Sequence, residues 1–154
     1  DRFGTPTYVY SWTNIEARYR DLARALADTR HRICYSVKAN SNLAILHHLS
    51  ELGANFDIVS GGELERLMVV GISPSQAIFS GVGKSVAEID FALKAGIGCI
   101  NMESTAELDR IEARSVLLGK IAPVSVRLNP DVDAHTHPYI SSGLMQNNFG
   151  FAAT

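Results

Sequence analysis

Cysteine is scarce in this chain. Only Cys34 and Cys99 occur in 154 residues, each inside its own apolar run. Two thiols are too few for a disulfide framework, and two packed thiols are a simpler reading than a bridge or a redox pair. A reducing compartment, hence the cytoplasm, is the expectation. Long apolar runs are also missing, and none nears the ~18 residues of a membrane span. Neither sign of charge dominates: 14 Lys and Arg against 16 Asp and Glu leave a formal charge of −2. A dedicated nucleic-acid binder would need a concentrated basic surface, so neither nucleic acid nor membrane is an expected partner. No signal peptide opens the chain, and Asp1 is not an initiator, so the true N-terminus is expected upstream. What remains, 46% hydrophobic and 19% charged residues, is ordinary globular composition.

A strand–helix rhythm runs through that composition. Tyr8-Val9-Tyr10 reads as a short leading strand, and Thr13-x-x-Glu16 as a capping box opening a helix with Ile15, Tyr19, Leu22 and Leu26 on one stripe. Five further strands follow: Ile33 to Lys38, Phe56 to Val59, Ala77 to Ser80, Cys99 to Met102 and Val124 to Leu128. Between them stand helices from about Asn42 to Gly53, from Gly61 to Gly71, from Ser85-x-x-Glu88 to Gly96, and from Ser104-x-x-Glu107 onward. Strands recurring about every 22 residues with amphipathic helices between them imply parallel crossovers. A doubly wound sheet and a (β/α)8 barrel both satisfy this period. A barrel takes ~250 residues, so as a barrel this chain would hold about five of the eight strands. Residues 129–150 are polar and read as a long loop.

Several familiar motifs fail. Gly83-Lys84-Ser85 ends like a phosphate-binding loop, but the required earlier glycine is Ile78. Gly96-x-Gly98 is followed by Asn101 instead of a third glycine, so a dinucleotide fingerprint is absent. His135-x-His137 lacks a carboxylate or cysteine partner set, so no metal is expected. His47-His48 reads as helix surface.

Lys38 is the unusual residue. Strand alternation sets Cys34, Ser36 and Lys38 on one face and Ile33, Tyr35 and Val37 on the other. A lysine ending an apolar strand should be partly desolvated, which favours the neutral, nucleophilic amine. At the C-terminal end of a barrel strand it would stand where barrel enzymes place their chemistry. A lysine that merely ends a strand and points into water fits the same residues.

The surrounding string is more specific. Tyr35-Ser36-Val37-Lys38-Ala39-Asn40 resembles the cofactor-lysine segment of the fold-type III pyridoxal-phosphate decarboxylases. Phe56-Asp57-Ile58-Val59-Ser60-Gly61-Gly62-Glu63-Leu64 resembles the next block of that family. Val82-Gly83-Lys84, Asn101-Met102-Glu103-Ser104 and Arg127-Leu128-Asn129-Pro130-Asp131-Val132 follow in matching order. Thr136-His137-Pro138-Tyr139-Ile140-Ser141-Ser142-Gly143-Leu144 and Asn148-Phe149-Gly150 are similar to the branch that acts on diaminopimelate. One such string is weak, whereas an ordered series over nearly the whole chain is strong. Phe151-Ala152-Ala153-Thr154 departs from the family's usual continuation.

The resemblance implies an alanine racemase-like, pyridoxal-phosphate-binding (β/α)8 TIM-type barrel of which residues 1–154 are the N-terminal part. Residues 1–30 would be a leading strand and helix, 31–128 repeated βα units, and 129–150 the active-site loop. The rest of the barrel, a C-terminal β domain and their cofactor- and substrate-binding groups would follow. The implied reaction removes carbon dioxide from meso-2,6-diaminopimelate to give L-lysine. Lys38 would hold pyridoxal phosphate covalently. Asp57 would lie near the cofactor and the incoming amine, Arg127 would contact the cofactor directly or through a neighbour, and His137 would belong to the substrate-side loop. The full-length protein would be a homodimer, and these residues alone would be inactive and marginally stable. Structural alternatives exist for each residue: a loop cap or surface carboxylate for Asp57, an ion pair for Arg127, a helix-dipole carboxylate for Glu63. At the level of function the alternatives are ornithine, arginine or carboxynorspermidine decarboxylation, a non-catalytic pyridoxal-phosphate-binding barrel, and a pseudoenzyme, the last disfavoured by retention of Lys38.

Overall fold

The computed structural model describes residues 2–132 and 150–152. Helix α1 (Trp12–Ala25) is followed by β1 (Cys34–Ser36), α2 (Leu43–Glu51), β2 (Asn55–Ile58), α3 (Gly61–Val69), β3 (Ala77–Phe79), α4 (Val86–Ala95), β4 (Cys99–Met102), α5 (Thr105–Leu118) and β5 (Val124–Val126). All five strands pair in parallel, in the order β1-β2-β3-β4-β5. This order decides between the two architectures the period left open. A doubly wound sheet reverses its strand order at a switch point, and here every strand lies beside its successor. The sheet is singly wound, as in a partial barrel.

Alternation along the strands separates two faces. Phe56, Ile58, Ala77, Phe79 and Ile100 are completely buried, and with them Leu46, Leu64, Leu67, Ile89 and Ile111 from the helices form the core. Burying a Leu, Ile or Phe side chain of this kind contributes about 1.5–3 kcal/mol each. The opposite face carries Ser36, Asp57 and Ile78, in register across β1 to β3, and Asn101 and Ser125, in register across β4 and β5.

Local signals explain most helix starts. Asn42, Ser60, Ser85 and Ser104 are N-caps whose side chains each accept from a first-turn N–H. The Ser85/Glu88 capping box forms as expected. The Thr13/Glu16 box does not. Ser11 is the cap, accepting from the Asn14 N–H at 3.4 Å, and Thr13 lies inside α1. The earlier start brings Trp12 into the helix, where its ring packs 4.5 Å from that of His48.

Further corrections concern the ends of the chain. Tyr8 and Val9 are exposed and residues 8–10 form no strand, since no strand pairs with them among the described residues. The fifth strand is shorter than expected. The chain breaks at Arg127, and Leu128–Asn129 forms β6, paired in parallel with β7 (Phe151–Ala152). The expected loop of 129–150 is thus bracketed by a small sheet. At its far end Gly150 has φ 71° and sits so close to the Arg127 carbonyl that an added Cβ would lie 2.5 Å from the oxygen. His47 is exposed, but His48 is half-buried between α1 and α2 instead of on the surface, 3.8 Å from both Glu16 and Glu51.

Candidate active site

The carboxyl ends of the five parallel strands lie together, and this is the edge at which parallel sheets bind ligands. Lys38 stands two residues beyond β1, in a single 3₁₀ turn formed by Val37–Ala39. The strand ends at Ser36, earlier than its apolar pattern suggests, because Val37 turns inward and is completely buried. The turn directs Lys38 outward. It is exposed, not partly desolvated as expected, and its amine has no hydrogen bond or ion pair among the described residues.

Asp57 is half-buried in β2 on the face not covered by helices. Its Oδ2 accepts from Ser36 Oγ at 3.4 Å and its Oδ1 from Ser80 Oγ at 2.5 Å. Ser80 in turn accepts from Asn101 Nδ2 at 2.8 Å, Asn101 Oδ1 accepts from Ser125, and Ser125 Oγ accepts from the Cys99 thiol at 3.4 Å. A continuous polar row therefore crosses all five strands. Cys34 lies on the same face, and burial pushes its thiol above the ordinary range, so it is poorly suited to act as a nucleophile. Neither thiol is in a disulfide.

Arg127 follows β5 directly. Its Nη1 donates to Glu103 Oε1 at 3.1 Å and Oε2 at 3.4 Å. Glu103 is buried, and its Oε1 also accepts from the Gly81 N–H at 3.1 Å. The ion-pair alternative for Arg127 is thus realised, and it fixes the guanidinium at the carboxyl rim. Behind Glu103 lies a pair that motif reading passed over. Lys84, read in the sequence only as the end of a failed phosphate loop and as part of the Val82-Gly83-Lys84 string, is 3% exposed and donates to the carbonyls of Gly81 (2.6 Å) and Asn101 (2.8 Å) and to both oxygens of Glu107 (3.3 Å). Glu107 Oε2 also accepts from the Glu103 N–H at 2.9 Å. The sequence signal available was a lysine between two glycines and a capped helix, which says nothing about burial. Glu63 has a local role, with Oε2 accepting from the Val59 N–H at 2.8 Å. His137 and His135 lie outside the described residues. Among the described residues, no group of three His, Cys, Asp or Glu is placed to hold a metal ion.

This donor set suits pyridoxal phosphate. An aldehyde needs an accessible primary amine, and Lys38 is accessible and uncommitted where Lys84 is buried and saturated. A carboxylate and a guanidinium, each held by its own partners, stand toward the carboxyl edge of the same sheet, on β2 and just past β5.

Residues 12–154 match the family described as pyridoxal-dependent decarboxylase, pyridoxal binding domain. The diaminopimelate decarboxylase of Pseudomonas aeruginosa is 57% identical over 152 residues, covering 99% of this chain and 37% of that protein. Among solved structures, diaminopimelate decarboxylase from Helicobacter pylori complexed with L-lysine superposes with a TM-score of 0.94 at 46% identity, covering 97% of this chain and 38% of that one. The M. jannaschii enzyme in co-complex with L-lysine gives 0.87 at 37% identity over 99% of this chain and 36% of that one. The chain spans a little over a third of the length of these relatives. With its singly wound sheet and its lysine at the carboxyl rim, the chain belongs to the pyridoxal-dependent decarboxylase family, matching its pyridoxal-binding domain from residue 12 onward.

Proposed function

We propose that the full-length protein is a pyridoxal-phosphate-dependent carboxy-lyase that converts meso-2,6-diaminopimelate to L-lysine and carbon dioxide. Lys38 would hold the cofactor through Nζ and give way to the amine of the substrate. When bound, pyridoxal phosphate supplies an electron sink for the pair left behind as carbon dioxide departs. The chain's own residues orient and hold charge. Asp57, an acceptor braced by Ser36 and Ser80, would face the cofactor and the incoming ammonium group. Arg127, pinned by Glu103, would set a fixed positive charge at the rim, where preorganised charge is most effective because it need not reorganise during reaction. His137 is assigned to the substrate side from its motif alone. A second copy of the chain as partner, and a cytoplasmic setting suited to two unbridged thiols, complete the reading.

The observation that carries it is the free, exposed amine of Lys38 just past β1. Identity to diaminopimelate decarboxylases supports the choice of substrate. Two measurements on the full-length protein test it. Borohydride reduction of the cofactor-loaded protein, followed by peptide mass spectrometry, is expected to mark Lys38. Lys38→Ala is expected to abolish carbon dioxide release from diaminopimelate. A mark on another lysine, or turnover in the variant, overturns the assignment.

A further inference from the structure

The polar row has a direction as well as a position. An ionised carboxylate can only accept, so Asp57 draws a proton from Ser80 at 2.5 Å and from Ser36 at 3.4 Å. A serine hydroxyl has one proton. With it committed to Asp57, Ser80 Oγ is left to accept, and Asn101 must turn its Nδ2 toward it, 2.8 Å away. The carbonyl end of that amide then faces Ser125, whose hydroxyl must donate, and Ser125 Oγ accepts from the Cys99 thiol at 3.4 Å. Each donor is set by the link before it, and the sole charged member of the row sets them all. Were Asp57 a donor instead, the amide of Asn101 would have to face the other way.

We propose that Ser80 and Asn101 are positioning residues for Asp57. They hold its carboxylate in one rotamer, with an Oδ1 bond committed along the sheet and its remaining lone pairs left for whatever binds on the open face. Asn101 is the pivot. It is the one amide in the row, so its donor and acceptor are separate atoms, Nδ2 toward Ser80 and Oδ1 toward Ser125. This inference deepens the proposed function and rests on the assignment of Asp57 to the cofactor site.

The test uses the full-length, cofactor-loaded protein. Visible circular dichroism of the bound cofactor reports its orientation independently of turnover. Ser80→Ala removes the donor to Asp57. Asn101→Asp places an acceptor where Ser80 needs a donor and leaves its hydroxyl contested between two carboxylates. Both variants are expected to bind the cofactor and fold, to change the visible dichroism band, and to lose about 10- to 100-fold in kcat with KM nearly unchanged, the signature of lost orientation. Ser80→Thr keeps the hydroxyl and is expected to restore both band and rate to within about threefold of the parent. A loaded Ser80→Ala protein with unaltered dichroism and kcat overturns the proposal. So does a Ser80→Ala protein that fails to fold, since a positioning role leaves the sheet intact. If borohydride fails to mark Lys38, the site assignment itself falls. If Lys38 is marked and Ser80→Ala changes nothing, only the row's role falls.

Discussion

Two lysines in this chain have opposite surroundings. Lys38 is exposed with an uncommitted amine, whereas Lys84 is enclosed by two backbone carbonyls, the Glu107 carboxylate and the face of Phe79, 5.6 Å away. A buried pair of this kind adds little over apolar packing, but removing one member strands the other. Lys84→Met is therefore expected to destabilise the full-length protein by about 3–5 kcal/mol, read as a shift of the urea midpoint. Glu107 would be left buried without its cation, and its hold on the Glu103 N–H would weaken. Arg127 would loosen in turn, since Glu103 is its partner at 3.1 Å. An unchanged midpoint would show that the pair carries no structural load. The string around Lys38 singled the residue out, but its exposed state emerged only with the early end of β1. Nothing local marks Lys84 as buried, because the Asn101 carbonyl and the Glu107 carboxylate that enclose it lie 17 and 23 residues away.

At the scale of elements, capping links neighbouring helices. Glu88 closes its own box on Ser85 and also accepts from the Gly61 N–H at 3.0 Å, at the start of α3. The Gly61 N–H first, then the N–H and hydroxyl of Ser85, hold its carboxyl below the usual value of 4.5. A carboxylate with a lowered folded pKa stabilises fully above the unfolded value and loses that contribution as pH falls through the folded one. Glu88→Gln is expected to lower stability at about pH 7 by roughly 1 kcal/mol. The difference from the parent should vanish as the solution is acidified below the folded pKa. Urea midpoints at both ends of that range check the sign, and a gap that widens in acid contradicts it. The Ser85/Glu88 spacing was legible in the sequence; its reach to α3 was not. The Thr13/Glu16 spacing was equally legible and did not form a box, because Ser11, two residues earlier, caps the helix while Trp12 packs on His48. Capping spacing names candidates, and packing chooses among them.

At the scale of the molecule, β1 and β5 have no further strand paired to them among the described residues. An apolar groove of about 600 Å³ between α1 and β1, lined by Ile15, Tyr19, Leu22, Ile33 and Leu49, borders one edge. Val124, Val126 and Leu128 are 42–62% exposed at the other. Bare strand edges flanked by apolar surface template association. Residues 1–154 produced alone are expected to associate with rising concentration in sedimentation velocity and to bind a hydrophobic dye, while the full-length protein does neither through these edges. A monodisperse, dye-silent monomer would show that the edges are already protected.

The alternation of five strands with the helices between them, core alternation and the motif series around Lys38 were legible in the sequence alone, because periodicity and capping act within a few residues. Strand order, the exposure of Lys38, the buried Lys84–Glu107 pair and the row from Cys99 to Asp57 were decided only in three dimensions. The reason is physical. A period of two says which face a side chain occupies, but which neighbour it meets depends on the register between strands. That register joins Ser36 to Asp57 and Asn101 to Ser125 across 21 and 24 residues of chain, and it is set by the packing of every helix between them.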